Sequence, residues 1–185
     1  MALITPERAK QLAPQLSRLT AEQLAAYLGS ASTAIEAVCG RKFAKSIVSN
    51  EYVRLDQFGT GYLERTPVVT GTLSLTDVEA QAVNRWRLDT ESGELEAPAY
   101  RERIVVASYT GGFDATPYEI ELGVATLAKI SSDRMASQAS GEIASKEIGS
   151  VTVSYANLST LQAVPVIPKS VMDMISPYIM PRPIC

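Results

Sequence analysis

Ile104-Val105-Val106-Ala107-Ser108-Tyr109-Thr110-Gly111-Gly112, followed by Asp114, Thr116, Pro117 and an apolar run that begins at Tyr118, is the stretch on which the fold turns. Its first half is β-branched and aromatic, which predicts a strand buried on at least one face. The glycine pair then ends it, because glycine reaches positive φ at no steric cost. Asp114 or Thr116 can cap the next helix, and Pro117 suits a first helical turn, where its missing N–H is not needed. From Tyr118 to about Gln138 the residues Ile120, Leu122, Val124, Ala125, Leu127, Ala128 and Ile130 lie nearly all round the helix axis. Such a helix has neighbours on more than one side, so 117–138 is expected to be central. Residues 139–149 are small, polar and glycine-bounded, and are expected to form a mobile loop. Ser150 to Tyr155 returns as a strand.

Working outward, Thr5-Pro6-Glu7 opens a helix that Pro14 must stop within about two turns. Thr20 and Gln23 have capping-box spacing. Leu24, Tyr27, Leu28, Ala31, Ile35 and Val38 then form one apolar stripe, ended by Gly40. The small residues between them, Ala25, Ala26, Gly29, Ser30 and Ala34, suit either core packing or a helix from another subunit. Arg41, Lys42, Lys45 and Arg54 are a basic cluster that fits a solvated surface, with phosphate binding as the sharper alternative. From Ile47 to Tyr109 the pattern is short strands and turns, including a hairpin that joins Trp86–Asp89 to Glu94-Leu95. Pro165, Pro168, Pro177, Pro181 and Pro183, five of the ten prolines, crowd the last segment. They leave room for a short helix, Lys169 to Ser176, and an extended tail. The expected fold class is α+β: N-terminal helices (5–40), a central antiparallel β region (46–110), a long central helix, and a C-terminal arm from about 165 to 185.

One domain is expected of 185 residues, with roughly 70% of the unfolded surface buried. No apolar run reaches the ~18 residues of a membrane span, and no signal-peptide pattern opens the chain, so a soluble protein made in the cytoplasm is expected. The chain has no histidine, and its two cysteines, Cys39 and Cys185, show no framework spacing. Ser–His and Cys–His nucleophiles and histidine metal sites are thereby excluded. Gly59-Thr60-Gly61 and Gly111-Gly112 fit no phosphate-loop pattern. Asp114, Glu119 and Glu121 are near one another in sequence, but acids at a helix start explain them better than a metal site does. No spacing suits a catalytic acid and base, and no cofactor is expected. A net charge of −3 gives no push toward nucleic acid.

The order of several pieces resembles the tailed-phage head–tail connector family, also called head-completion adaptors. They are Ala34-Ile35-Glu36-Ala37-Val38-Cys39-Gly40-Arg41-Lys42-Phe43, Pro67-Val68-Val69, Leu88-Asp89-Thr90-Glu91-Ser92-Gly93-Glu94-Leu95, and Val105 through Phe113 with Pro117 and Ile120, then the segment from Gly141 to Tyr155. The likeness spans Ala34 to Tyr155, and the proline-rich tail departs from the pattern. The resemblance implies a structural virion protein at the head–tail junction, with no catalysis and no cofactor. It implies a dodecameric ring below the portal that extends the DNA channel and offers a platform to a neck, stopper or tail protein. Genomic DNA would pass without sequence-specific contact, and no membrane is involved.

Within that reading, Tyr27 and Ile35 would lie at subunit contacts, and Ile179, Met180 and Ile184 would dock the tail on the portal. Glu142, Lys146 and Glu147 would face the channel from the loop. Other readings are a stopper or tail terminator, a DNA-binding packaging adaptor, and a small hydrolase.

Overall fold

The computed structural model describes residues 2–139, 145–148, 151–154 and 167–180. The fold is α+β, and its backbone separates into two compact units. The first takes residues 1–34 and 121–174, the second residues 35–120 and 175–185. The boundaries fall inside three helices, so each helix is shared by covalent continuity.

In the first unit, helix α1 (Pro6–Leu12) starts where Thr5 accepts a hydrogen bond from the Arg8 amide, and it stops before Pro14. Helix α2 (Ala21–Cys39) begins with the expected reciprocal cap: Gln23 accepts from the Thr20 amide at 3.1 Å and Thr20 from the Gln23 amide at 3.3 Å. Leu24, Leu28 and Ala31 of its stripe are buried. Ser32 is buried too, and it is satisfied by donating to the Leu28 carbonyl and accepting from the Leu3 amide. Helix α3 (Tyr118–Ala139) has no exposed residue from Ile120 to Ser132, which matches its apolar circumference. Arg8 Nε meets Glu121 Oε2 at 3.0 Å and ties α1 to α3.

The second unit holds two three-stranded antiparallel sheets. In one, β6 (Ile104–Gly111) lies between β1 (Ser46–Arg54) and β3 (Ser74–Asp77). In the other, β5 (Glu94–Glu96) lies between β2 (Thr60–Tyr62) and β4 (Arg87–Leu88). A single core cluster draws on both: Val53, Val105, Ala107 and Tyr109 from the first sheet, Leu95 from the second, and Leu55, Leu63 and Val68 from connections. The β4–β5 pair is the hairpin read from the sequence. The Lys169–Ser176 expectation becomes helix α4 (Lys169–Ile175).

Some elements differ from expectation. Residues 145–148, expected in the loop, form strand β7 (Ser145–Ile148), which pairs antiparallel with β8 (Val151–Ser154). Gly149-Ser150 is a two-residue hairpin signal, and four polar-to-apolar residues before it hide a strand that composition alone reads as loop. Asp114 is not committed to the α3 start, since its carboxylate takes Lys45 Nζ at 2.8 Å.

Of the glycine pair that ends β6, Gly112 needs its freedom: φ is +102°, and an added Cβ would sit 2.7 Å from the Ala44 carbonyl oxygen. Gly112→Ala therefore combines backbone strain with a backbone clash, and is expected to cost about 3 kcal/mol or more in urea denaturation. Gly71→Ala is the control. Its φ is +79° but nothing lies within 4 Å, so strain acts there alone and the loss is smaller.

Candidate docking surfaces

Among the described residues no group of His, Cys, Asp and Glu could hold a metal ion. The acids near the α3 start each serve a different partner: Asp114 takes Lys45, Glu119 accepts from the Tyr178 hydroxyl at 3.0 Å, and Glu121 takes Arg8. Gly59 sits in a loop that Asp56 organises, its carboxylate accepting from the Phe58 and Thr60 amides at 2.8 Å each. That loop folds on its own carboxylate and is no cradle for an anion. The Cys39 thiol is buried, and burial pushes its pKa up to about 11, so it is no reactive thiolate. No helix among the described residues is long and apolar enough to cross a membrane.

What the second unit does present is a sheet face. In β6 the odd residues Val105, Ala107 and Tyr109 point into the core, and the even residues Ile104, Val106, Ser108 and Thr110 point out. Their register partners share that outer face: Ile47 lies opposite Thr110, Tyr52 opposite Val106 and Arg54 opposite Ile104 on β1, with Ser74 and Thr76 on β3. Ile47 is 78% exposed, Tyr52 72% and Ile104 44%, while Val78, next to the end of β3, is 65% exposed. Tyr52, Val106 and Ile104 are neighbours at one end of this face, Ile47 stands at the other end beside Thr110, and β3 adds the polar Ser74 and Thr76. Arg54 is exposed at one end of the face, and no salt bridge among the described residues takes it.

The inner side is locked by polar bonds as well as packing. Tyr109 donates to Glu51 Oε2 at 2.5 Å and accepts from the Arg65 amide at 3.0 Å, while Glu51 Oε1 accepts from the Glu64 amide. Burial first, and then the adjoining Glu51 carboxylate, hold the Tyr109 phenol well above its usual range. The sheet is thus rigidly backed.

A second feature is the seat of the C-terminal segment on the second unit. Tyr178 meets Phe43 and Phe113 edge-on, with ring centroids 6.0 and 6.3 Å apart, and Phe43 and Phe113 stack at 6.0 Å. The Met180 amide donates to the Cys39 carbonyl at 2.9 Å, and its side chain is buried beside Gly40.

The residues expected at partner contacts fall into different places. Ile35 is fully buried within its own chain. Met180 is likewise buried in its own unit, Ile179 and Tyr27 are half-buried, and Ile184 lies outside the described residues. Lys146 and Glu147 are on strand β7, opposite Val153 and Thr152, and Glu142 lies outside the described residues. The sheet face is not evident from the sequence. Its signal is Ile47 and Tyr52, which stand at odd and even positions and would belong to opposite faces of an unbroken strand. A bulge between Val48 and Glu51, where Asn50 has φ +57°, shifts the phase and brings both outward.

No family model matches the chain, and no curated protein matches it. Solved structures similar to it include two from gene transfer agent particles. One is a chain in the neck of a native GTA particle computed with C12 symmetry, 19% identical, covering all of this chain and 96% of that one, with a TM-score of 0.48. The other is a chain in the virion of a native gene transfer agent particle, 18% identical, covering 98% of this chain and 92% of that one, also with a TM-score of 0.48. At this level neither likeness assigns a function.

The Tyr178 seat can be tested directly. Tyr178→Ala removes both edge-on ring contacts and is expected to cost about 1–2 kcal/mol. It should also lower hydrogen-exchange protection at the Met180 amide, whereas Tyr178→Phe, which loses only the Glu119 bond, should leave that amide protected.

Proposed function

We propose that this chain is a structural virion protein of the tailed-phage neck: a ring-forming head–tail connector that binds below the portal, extends the DNA channel and offers a platform to the next neck or tail protein. What carries the reading is the outer face of the β1–β6–β3 sheet, a rigidly backed surface that exposes Ile47, Tyr52 and Ile104 and has no occupant among the described residues. The sequence resemblance, in the order and spacing of its pieces from Ala34 to Tyr155, supplies the class of assembly.

A head-to-tail ring needs a patch on each subunit that meets a different surface of the next and closes by rotation. The sheet face is suited to that use, since apolar and aromatic side chains on a preorganised surface lose little entropy on docking. Portal and tail-side proteins would meet the ring above and below, and the β7–β8 hairpin carrying Lys146 and Glu147 would line the channel. A net charge of −3 keeps the collar from holding DNA that must pass through it. Tail docking on the portal falls to residues beyond Met180, because Tyr178 and Met180 are committed to the chain's own fold.

The double variant Ile47→Glu/Tyr52→Glu tests the face. Both residues are exposed, so circular dichroism and Tm should stay near wild type, while ring formation, seen by electron microscopy of the chain mixed with its portal, should weaken at least about tenfold. Unchanged rings would remove the sheet face from the interface. Wild-type chain that binds a tail tube and ignores the portal would move the assignment to a stopper or tail terminator.

A further inference from the structure

Arg41 follows the left-handed Gly40 that ends α2, and only 8% of its surface is exposed. Among the described residues its Nε is buried with no hydrogen-bond acceptor, and no salt bridge takes its charge. A guanidinium has five donors and no acceptor, and it cannot shed its proton to escape burial. An Nε–H withdrawn from water without an acceptor is unfavourable. Burial pulls the Arg41 pKa down, and the neighbouring Cys39 offsets this only in part.

Other charged side chains of this unit are engaged with partners of their own. Lys42 holds Glu36 Oε2 at 3.0 Å, and Glu36 Oε1 accepts from the Phe43 amide. Lys45 holds Asp114, and the Arg65 guanidinium donates to the Ala44 carbonyl. Glu36, whose charge is felt at the same Cys39 thiol, takes one donor on each oxygen, Lys42 and the Phe43 amide, and no hydrogen bond from Arg41.

We propose that Arg41 is a preformed receptor for one carboxylate, an Asp or Glu side chain that a partner protein brings when the chain assembles. The identity of that partner rests on the connector reading; the receptor does not. A carboxylate fits better than a nucleic-acid phosphate for two reasons. The planar fork of arginine matches a carboxylate in two parallel bonds. The adjoining cations are neutralised by their own acceptors, so the several free positive charges that a phosphodiester backbone requires are missing here. An acceptor that arrives only on assembly also explains why evolution would leave a costly cation at a helix end.

The test uses the free chain first, with Tm followed in sodium acetate and in sodium chloride at equal ionic strength. Acetate should raise the wild-type Tm about 2 °C more than it raises that of Arg41→Met, a shift that mass action gives for a weak site at high ligand concentration. In chloride, Arg41→Met should melt no lower than wild type, because methionine keeps an apolar stem and removes the unpaired charge. A lower melting point together with no acetate difference would mean that Arg41 is satisfied within its own chain, which overturns the proposal. A larger shift from inorganic phosphate than from acetate would overturn the choice of ligand. Should Arg41→Met not fold, Arg41→Lys keeps a charge without the fork and should lose the acetate shift. In assembly with the portal, Arg41→Met should bind at least tenfold more weakly, and equal binding would overturn the partner's role. A wild-type chain that assembles with nothing would count against the connector reading alone, since the acetate comparison still judges the receptor.

Discussion

The alternation of β6 is the constraint on which the second unit depends. It is the middle strand of its sheet, hydrogen-bonded to β1 on one side and β3 on the other, so its period of two is imposed on both neighbours. Val105, Ala107 and Tyr109 build the core, and the same register necessarily aligns Ile104 and Val106 with Tyr52 on the opposite face. A slip of one residue would expose the core set, which makes the outer patch as well determined as the core itself. Tyr109 adds direction to this, because its short bond to Glu51 is charge-assisted and is met only in the observed register. Core and patch are two sides of one strand.

Charge is handled residue by residue and not as a field. Arg41, Lys42, Lys45 and Arg54 look alike in sequence, yet Lys42 is tied to Glu36, Lys45 to Asp114, Arg54 is exposed on the sheet face and Arg41 is buried. Partly exposed pairs such as Lys45–Asp114, whose acid is 84% exposed, contribute little stability and are screened by salt. Their effect is on recognition, since a paired cation no longer attracts phosphate at a distance.

Much of this was legible in the sequence, and the parts that were not share a physical cause. Caps and breakers are local, so Thr5, the Thr20–Gln23 pair, Gly40 and Pro14 mark helix ends in α1 and α2 that the structure reproduces. The all-round apolar pattern of α3 likewise needs no knowledge of its neighbours to be read. Ile35 was legible as apolar, but whether a stripe faces its own chain or another depends on tertiary packing, and here it is fully buried. Strand β7 was hidden because Ser145, Lys146 and Glu147 have poor strand propensity and gain their place from pairing with β8. The outer patch was hidden by parity: without the bulge at Ser49 and Asn50, Ile47 would belong to the face that holds Val53.

That bulge also bears on how such a surface avoids edge-to-edge pairing. β1 is an edge strand, and an edge with free backbone groups beside an apolar face invites pairing with any other strand. The bulge interrupts the edge midway, the Asn50 amide is taken by Ser108 Oγ at 3.1 Å, and Arg54 closes one end with a charge. Backbone pairing is thereby discouraged while side-chain docking remains open. On the proposed reading, a partner would match the positions of Ile47, Tyr52, Ile104 and Arg54, and shape would take the place of β-augmentation as the source of affinity. The proposed ring subunit would need this combination, because contact through side chains has a defined angle from one copy to the next, and a defined angle is what lets a ring close instead of growing into a fibre.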